Sequence, residues 1–292
     1  MYSRLKKSDI RKIVRCALKE DIGEKDITTQ ISIPSNLEGK AFIVANQKGV
    51  LCGINIAKEV FMHINRNLQF KALKKEGSKF IKGEKIALVK GKLSSILTGE
   101  RVALNFLSFL SGIATYTERF VLKVKSSNVK IRDTRKTTPI LRILEKYAVR
   151  IGGGFNHRFN LSEGIIVKDN HLRALKIVGS KKEIEKIKLK KFILFLKKKT
   201  SLPIEIEVEN LKEFKEVIKY EPDIIMLDNF GLSSLKKAVI YRNEYFPHVK
   251  LEASGGINLK NIKKIARTKV DFISVGALTH SASCIDFSLE MQ

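Results

Sequence analysis

From Val129 onward the chain repeats one pattern, and that pattern leaves few folds open. Short apolar runs recur at Val129–Asp133, Gly164–Lys168, Pro203–Val208, Asp223–Leu227, Val249–Ala253 and Val270–Val275. Amphipathic stretches such as Leu211–Tyr220 and Asn258–Thr268 lie between most of them. Strand and helix alternating at this spacing predict βαβ units around a parallel sheet. The runs are apolar almost throughout, as expected of strands covered on both faces. Their C-terminal ends differ: Asp133 to Lys136, Lys168-Asp169-Asn170, Glu207, Asp228-Asn229, Ser254-Gly255-Gly256 and Gly276. In a (β/α) barrel these ends converge on one mouth, where active sites sit. Polar residues also begin ordinary loops, but that accounts poorly for a whole series of such ends.

The residues before Val129 are organised otherwise. Ile10, Ile13, Val14, Ala17 and Leu18 fall at helical spacing, with Ser8 or Asp9 as the expected N-cap. Between Lys40 and Leu93, the segments AFIVA, GVLCGI and KKEGSKFIKGEKIALVKGKL read as strands joined by glycine turns. A long helix is expected over Gly99–Lys125. Its nearly apolar stretch Ala103–Tyr116 is too short to cross a bilayer and reads as a buried helix. The start, MYSRLKKSD, has no apolar segment behind it and predicts no secretory signal. Cys16, Cys52 and Cys284 lie far apart without a CxxC pair, which argues against a disulfide framework and a structural zinc site. A reduced, cytoplasmic protein is expected.

A formal net charge of +26 over 292 residues admits a nucleic-acid partner. The lysines, however, are spread along the chain, apart from small clusters such as Lys188–Lys191 and Lys197–Lys199. A compositional bias toward lysine is the simpler account, and no interleaved aromatic motif supports nucleic-acid binding.

The densest chemistry lies between Asp133 and His171, where Arg135, Lys136, His157, Arg158 and Lys168 crowd among glycines. Guanidinium groups suit carboxylates, and lysines act as point charges on a polyanion. His171, directly after Asn170, reads as a loop anchor rather than a catalytic group. Glu207 and Asp228 lie one βα unit apart, so they fall on adjacent strand ends and suit ribose hydroxyls or a hydrated Mg²⁺. Glu205, Glu207 and Glu209 share one strand face by alternation, so an exposed acidic edge strand is the competing account. SGG and VGA after the last two strands would leave backbone N–H groups open to a phosphate.

The blocks TRKTTP, EKYAV, GGG-x-NHR, KDNH, EVEN, LDNF, ASGGIN and VGALTHS resemble the quinolinate phosphoribosyltransferase family, also called nicotinate-nucleotide pyrophosphorylase (carboxylating). EDIGEKDITT and LTGERVALNFLSFLSGIAT extend the resemblance over nearly the whole chain. The resemblance implies an α/β protein: an N-terminal α/β sandwich domain followed by an open parallel (β/α) barrel of the type II phosphoribosyltransferase kind. The sandwich would cover residues 1–115, rejoined by about 278–292, and the barrel 116–277. It implies a homodimer, or a hexamer built from such dimers, whose active sites each borrow Arg101 from the neighbouring subunit. Arg135, His157 and Arg158, with that Arg101, would hold the two carboxylates of quinolinate. Lys136 and Lys168 would serve the pyrophosphate of 5-phosphoribosyl 1-diphosphate, with Thr134 beside them. Glu207 and Asp228 would bind the ribose and organise Mg²⁺, giving Lys136, Lys168, Glu207 and Asp228 as the catalytic set. Ser254, Gly255, Gly256, Val275, Gly276 and Ala277 would cradle the 5-phosphate, and His280 would touch the pyrophosphate.

Two positions depart from the family pattern. Ile140 stands where glycine is usual, and Glu163 where aspartate is common. Two rival readings remain: a phosphoribosyltransferase for a monoacid such as nicotinate, and a basic nucleic-acid-binding protein on an old enzyme fold. The several basic side chains converging on the pocket favour a diacid.

Overall fold

The structure, a computed structural model, describes residues 5–177 and 185–292. It divides into two compact units. The first comprises Met1–Glu118, Thr137–Gly153 and Leu278–Gln292, and the second Arg119–Lys136 and Gly154–Ala277.

The first unit opens with helices α1 (Lys7–Ile22) and α2 (Ile27–Ser32). Helix α1 starts at Lys7 with Lys6 at the cap, so Ser8 and Asp9 lie inside its first turn rather than at the cap. There the Asp9 charge complements the helix dipole. Strands β1 (Glu38–Ala45) and β2 (Gly49–Val50), helix α3 (Ile54–Ile64), and strands β3 (Gln69–Ala72), β4 (Lys79–Phe80) and β5 (Lys85–Lys92) follow. Helix α4 runs from Leu93 to Lys123, six residues earlier than its expected start. Its stretch from Ala103 to Ala114 is largely buried, and Gly112 is required there because a Cβ would lie 2.3 Å from the Ser283 carbonyl oxygen. No helix among the described residues is long and apolar enough to cross a membrane.

The second unit is a parallel sheet built from β6 (Lys130–Arg132), β7 (Ile165–Val167), β8 (Ile204–Val208), β9 (Ile224–Asp228), β10 (Lys250–Ser254) and β11 (Phe272–Ser274). Their order is β6-β11-β10-β9-β8-β7, so β6 and β7 are the two edges and the barrel is open. Helix α5 (Arg142–Ile151) belongs to the first unit. Helices α6 (Asp169–Ala174), α7 (Lys186–Lys199), α8 (Leu211–Val217), α9 (Leu232–Tyr245) and α10 (Ile262–Ala266) fall between or after the strands. The short helix α11 (Ala277–His280) leads to strand β12 (Phe287–Met291), which pairs with β1 and completes the antiparallel order β12-β1-β5-β3 of the first unit. The lysine-rich α7 buries only Leu189 and Ile193, so its lysines form a solvated face.

One expectation is corrected. The parallel strands are not apolar on both faces. Registers pair Glu207 with Met226 and Met226 with Glu252, and Ser274 with Arg132, which puts a second, polar set of side chains on one face. The competing account of an exposed acidic edge strand fails: β8 is hydrogen-bonded to β7 and β9, and Glu205 is only 3% exposed.

Candidate active site

The strand ends of the second unit gather most of the expected residues. Glu207 and Asp228 end adjacent strands, as Val208 pairs with Leu227. Lys168 Nζ donates to Glu207 Oε2 at 2.6 Å, joining a proposed cation and a proposed acid at the mouth. Lys168 is held from behind by His171, whose Nδ1 accepts the Lys168 backbone N–H at 2.9 Å. Asp228 Oδ2 accepts from Asn229 Nδ2 at 2.7 Å.

Asn229, absent from the sequence-based set, explains the glycines on the next strand. It adopts a left-handed backbone (φ 55°) and donates its N–H to the Ser254 carbonyl at 2.9 Å. Gly255, at φ 87°, has no room for a side chain, because a Cβ would sit 2.2 Å from Asn229 Oδ1. Gly256 (φ 60°) has open space around it. LDN and SGG therefore form one corner. Val275 is buried and its N–H is committed to the Arg132 carbonyl at 2.9 Å, leaving Gly276 and Ala277 beyond it as the more exposed part of that turn.

The cationic segment is clamped by a buried acid. Asp133, fully buried, accepts from the His157 N–H at 2.8 Å and from Asn156 Nδ2 at 2.6 Å. Phe155 bridges to Arg132 as a further strand-like pairing beside β6. Thr134 Oγ1 accepts the Lys136 N–H at 3.1 Å and tightens that turn. Arg158 donates to the Gly164 carbonyl at 2.7 Å, and its pKa is lowered by burial and then by the neighbouring Arg135 charge. An anion beside Arg158 would offset both effects, since it adds opposite charge to a corner that is desolvated and electropositive. Glu163 Oε2 accepts the Phe159 N–H at 2.8 Å, so the longer carboxylate serves as a loop brace.

Beneath the mouth lies a charged layer that sequence reading passed over. Arg132 donates to Glu252 Oε2 at 3.0 Å and stacks 3.4 Å from the Phe272 ring centroid. A signal was present in the sequence: Arg132 and Glu252 alternate with the apolar residues of their strands, on the same face as Lys130 and Lys250. His157 Nε2 lies 3.0 Å from Glu205 Oε2 and 3.7 Å from Glu252 Oε1. Burial pushes the Glu205 carboxyl up to about 7 against the pull of Arg132 and Arg158. Glu252 is likewise raised to about 7, by burial and then by Glu205.

Arg101 and His280 are the two expected site residues that fall in the first unit rather than with this set. Arg101 is exposed on α4, and His280 Nδ1 lies 2.7 Å from Ser281 Oγ.

An open parallel sheet with cations, carboxylates and glycine turns on its strand ends defines an α/β enzyme for a polyanionic small molecule. The comparisons with known proteins narrow the class. Residues 26–111 match the N-terminal domain, and residues 113–290 the C-terminal domain, of quinolinate phosphoribosyl transferase. A probable nicotinate-nucleotide pyrophosphorylase [carboxylating] of Methanocaldococcus jannaschii is 42% identical over 287 residues, covering 96% of each chain. Its counterpart in Synechocystis is 40% identical over 276 residues, covering 94% of this chain and 90% of that one. The solved nicotinate-nucleotide pyrophosphorylase of Francisella tularensis superposes with a TM-score of 0.90 at 37% identity, over 100% of this chain and 99% of that one. The chain belongs to the quinolinate phosphoribosyltransferase family.

Proposed function

We propose that the Arg135–Arg158 pair is the quinolinate carboxylate site of an enzyme that joins quinolinate to 5-phosphoribosyl 1-diphosphate. The products are nicotinate mononucleotide, pyrophosphate and CO₂, a step of de novo NAD biosynthesis. The observation that carries the residue assignment is Arg158, part-buried, braced on the Gly164 carbonyl at 2.7 Å beside His157, and within the field of the Arg135 charge. The planar fork of each guanidinium matches one carboxylate, so a diacid fits better than a monoacid.

The ring nitrogen of quinolinate attacks C1 of the ribose as the C1–O bond to pyrophosphate breaks. Lys136 and Lys168 face the leaving oxygens and offset their growing charge. Glu207 and Asp228 orient the ribose hydroxyls, and the Ser254–Gly256 corner with Gly276 and Ala277 holds the 5-phosphate. The C2–carboxylate bond then breaks, its electron pair staying on C2 beside the cationic nitrogen until a proton replaces CO₂. The role of the chain is placement and charge stabilisation.

The oxygen donors of Glu207 and Asp228, at the open end of adjacent strands, fit a hard cation such as Mg²⁺ accompanying the pyrophosphate. That ion would screen phosphate charge during transfer. Purified protein with both substrates and Mg²⁺ should release pyrophosphate and CO₂ in equal amounts. A protein that turns over nicotinate and leaves quinolinate untouched would overturn the assignment.

The homodimer belongs to the same proposal. Arg101 completes the site across a subunit interface, so Arg101→Ala mixed with Lys136→Ala should regain part of the activity through hybrid sites. Demonstrated subunit exchange without that recovery would count against a shared site.

A further inference from the structure

We infer that Glu205, backed by Glu252 and Arg132, is a positioning residue that holds the His157–Arg158 corner across the open seam of the barrel. The inference rests on the reading of that corner as the quinolinate half of the site.

The seam lies between the two edge strands. On one side Phe155 extends the β6 edge, and the chain turns through His157 and Arg158. On the other side β7 begins at Ile165, with β8 behind it. Arg158 reaches over to the Gly164 carbonyl at 2.7 Å. His157 makes the second crossing, with Nε2 3.0 Å from Glu205 Oε2 on β8. A cavity of about 130 Å³ remains beside these groups, lined by Arg132, Asn156, His157, Arg158, Glu163 and Glu205 among others. Ile165, Ile166, Pro203 and Ile224 complete that lining, and across it the polar contacts of His157 and Arg158 set where the corner sits.

The hydrogen-bond pattern fixes the imidazole. His157 Nδ1 accepts the Arg158 backbone N–H at 2.7 Å, so Nε2 carries the ring proton; it stands 3.0 Å from Glu205 Oε2, a charge contact rather than an aligned hydrogen bond. An imidazole flipped or in the other tautomer would lose the Arg158 N–H contact and move the next guanidinium. Glu205 is 3% exposed and Glu252 is fully buried. Glu205 Oε1 and Glu252 Oε1 accept no hydrogen bond among the described residues, a desolvation cost that the sheet offsets only in part, through the Arg132 bond to Glu252 Oε2. Charges kept at such a cost fit a role in placing neighbours.

The same three side chains bring ligand atoms within 4.8 Å of one another, a spacing open to a metal ion. Arg132 already occupies Glu252 Oε2, and Arg158 adds a second nearby cation, so the two carboxylates are offset without one. The three side chains therefore position one another without an ion, and a bound metal would overturn that role.

The test uses the full chain labelled with ¹⁵N-histidine, the His157 signals being assigned by their loss in His157→Gln. Wild type should show His157 protonated at Nε2 only. Glu205→Gln, which keeps an acceptor, should retain that tautomer and a near-normal KM for quinolinate. Glu205→Leu should show mixed tautomers, and its KM for quinolinate should rise about tenfold or more. Its KM for 5-phosphoribosyl 1-diphosphate should stay within about twofold, because the cost of misplacement falls on one half of the site. If Glu205→Leu does not fold, Glu205→Asp, which withdraws the carboxylate, takes its place with the same expectation. A wild-type His157 protonated at Nδ1, an unchanged tautomer in Glu205→Leu, or equal losses for both substrates would overturn the inference. So would a stoichiometric metal ion in the purified protein that Glu205→Leu lacks. The tautomer is read without substrate, so it decides the positioning role even if quinolinate proves not to be the substrate.

Discussion

Strand β1 of the antiparallel sheet buries Ala41, Ile43, Val44 and Ala45, whereas β8 of the parallel sheet buries Glu205 between Ile204 and Ile206. Strand β5 likewise buries Ile86, Ala87 and Val89, while β10 buries Glu252 between Leu251 and Ala253. Both sheets are well packed, but only the parallel one keeps ionisable groups out of water on its inner face. An apolar face returns free energy for every group it hides. A buried carboxylate does not, so its placement is explained by what it holds. The difference separates a sheet whose inner face serves stability from one whose inner face serves binding.

The comparison breaks if activity and stability respond alike in both sheets. The largest expected effect is on activity at the mouth. Lys136→Ala should lower kcat/KM by about 10³, as loss of a charge-stabilising group does. The side chain is exposed, so its melting temperature should match that of wild type. A large stability loss there would undo the division of roles.

In the antiparallel sheet the reverse is expected. Ile43 is fully buried, and Ile43→Ala should destabilise by about 3 kcal/mol in a denaturant titration. The folded fraction should keep its kcat/KM.

A smaller effect should come from the buried carboxyls. Glu205 and Glu252 ordinarily titrate near 4.5 and are raised here to about 7. Between those values the folded chain holds protons that the unfolded chain has released. Stability from the protonated pair is therefore full below about pH 4.5 and is lost as the pH rises through about 7. Unfolding curves should show a decline on the order of 2 kcal/mol for each carboxyl from about pH 5 to about pH 8. Glu205→Gln combined with Glu252→Gln should flatten it. A wild type that gains stability over this range would refute the sign.

The smallest effect concerns Ile140, which departs from the family's usual glycine. It is 85% exposed with φ at 70°, a region that strains a β-branched residue. Ile140→Gly should raise stability by about 1 kcal/mol, the relief of left-handed strain outweighing glycine's entropy. No rise in the melting temperature would show that the loop relaxes otherwise.

Much of the fold was legible because it is written in local patterns. The parallel strands fall within a few residues of the apolar runs, since a run bounded by turn residues needs no partner to be recognised. His171 anchors Lys168, as its place beside the strand end suggested. The early start of α4 was missed because Leu93 to Thr98 sits beside strand residues and lacks a distinct cap. The acidic alternation of β8 left an exposed edge strand open as a competing account, because sequence does not say which strands flank it. Arg132 and Glu252 were passed over because Lys130 and Asp133 in one run, and Lys250 in the other, are charged as well and give no sign of which charge turns inward. Their partnership spans 120 residues of chain.

The sequence by itself determined the βα series, the polar strand ends and the family, since these depend on spacing and on blocks of contiguous residues. Only the tertiary structure decided that Glu205 is interior, that Asn229 closes on Gly255, and that His157 faces two buried carboxylates. Those facts arise where β6, β8, β9 and β10 meet, and the free energy of a buried charge depends on neighbours that sequence order does not reveal.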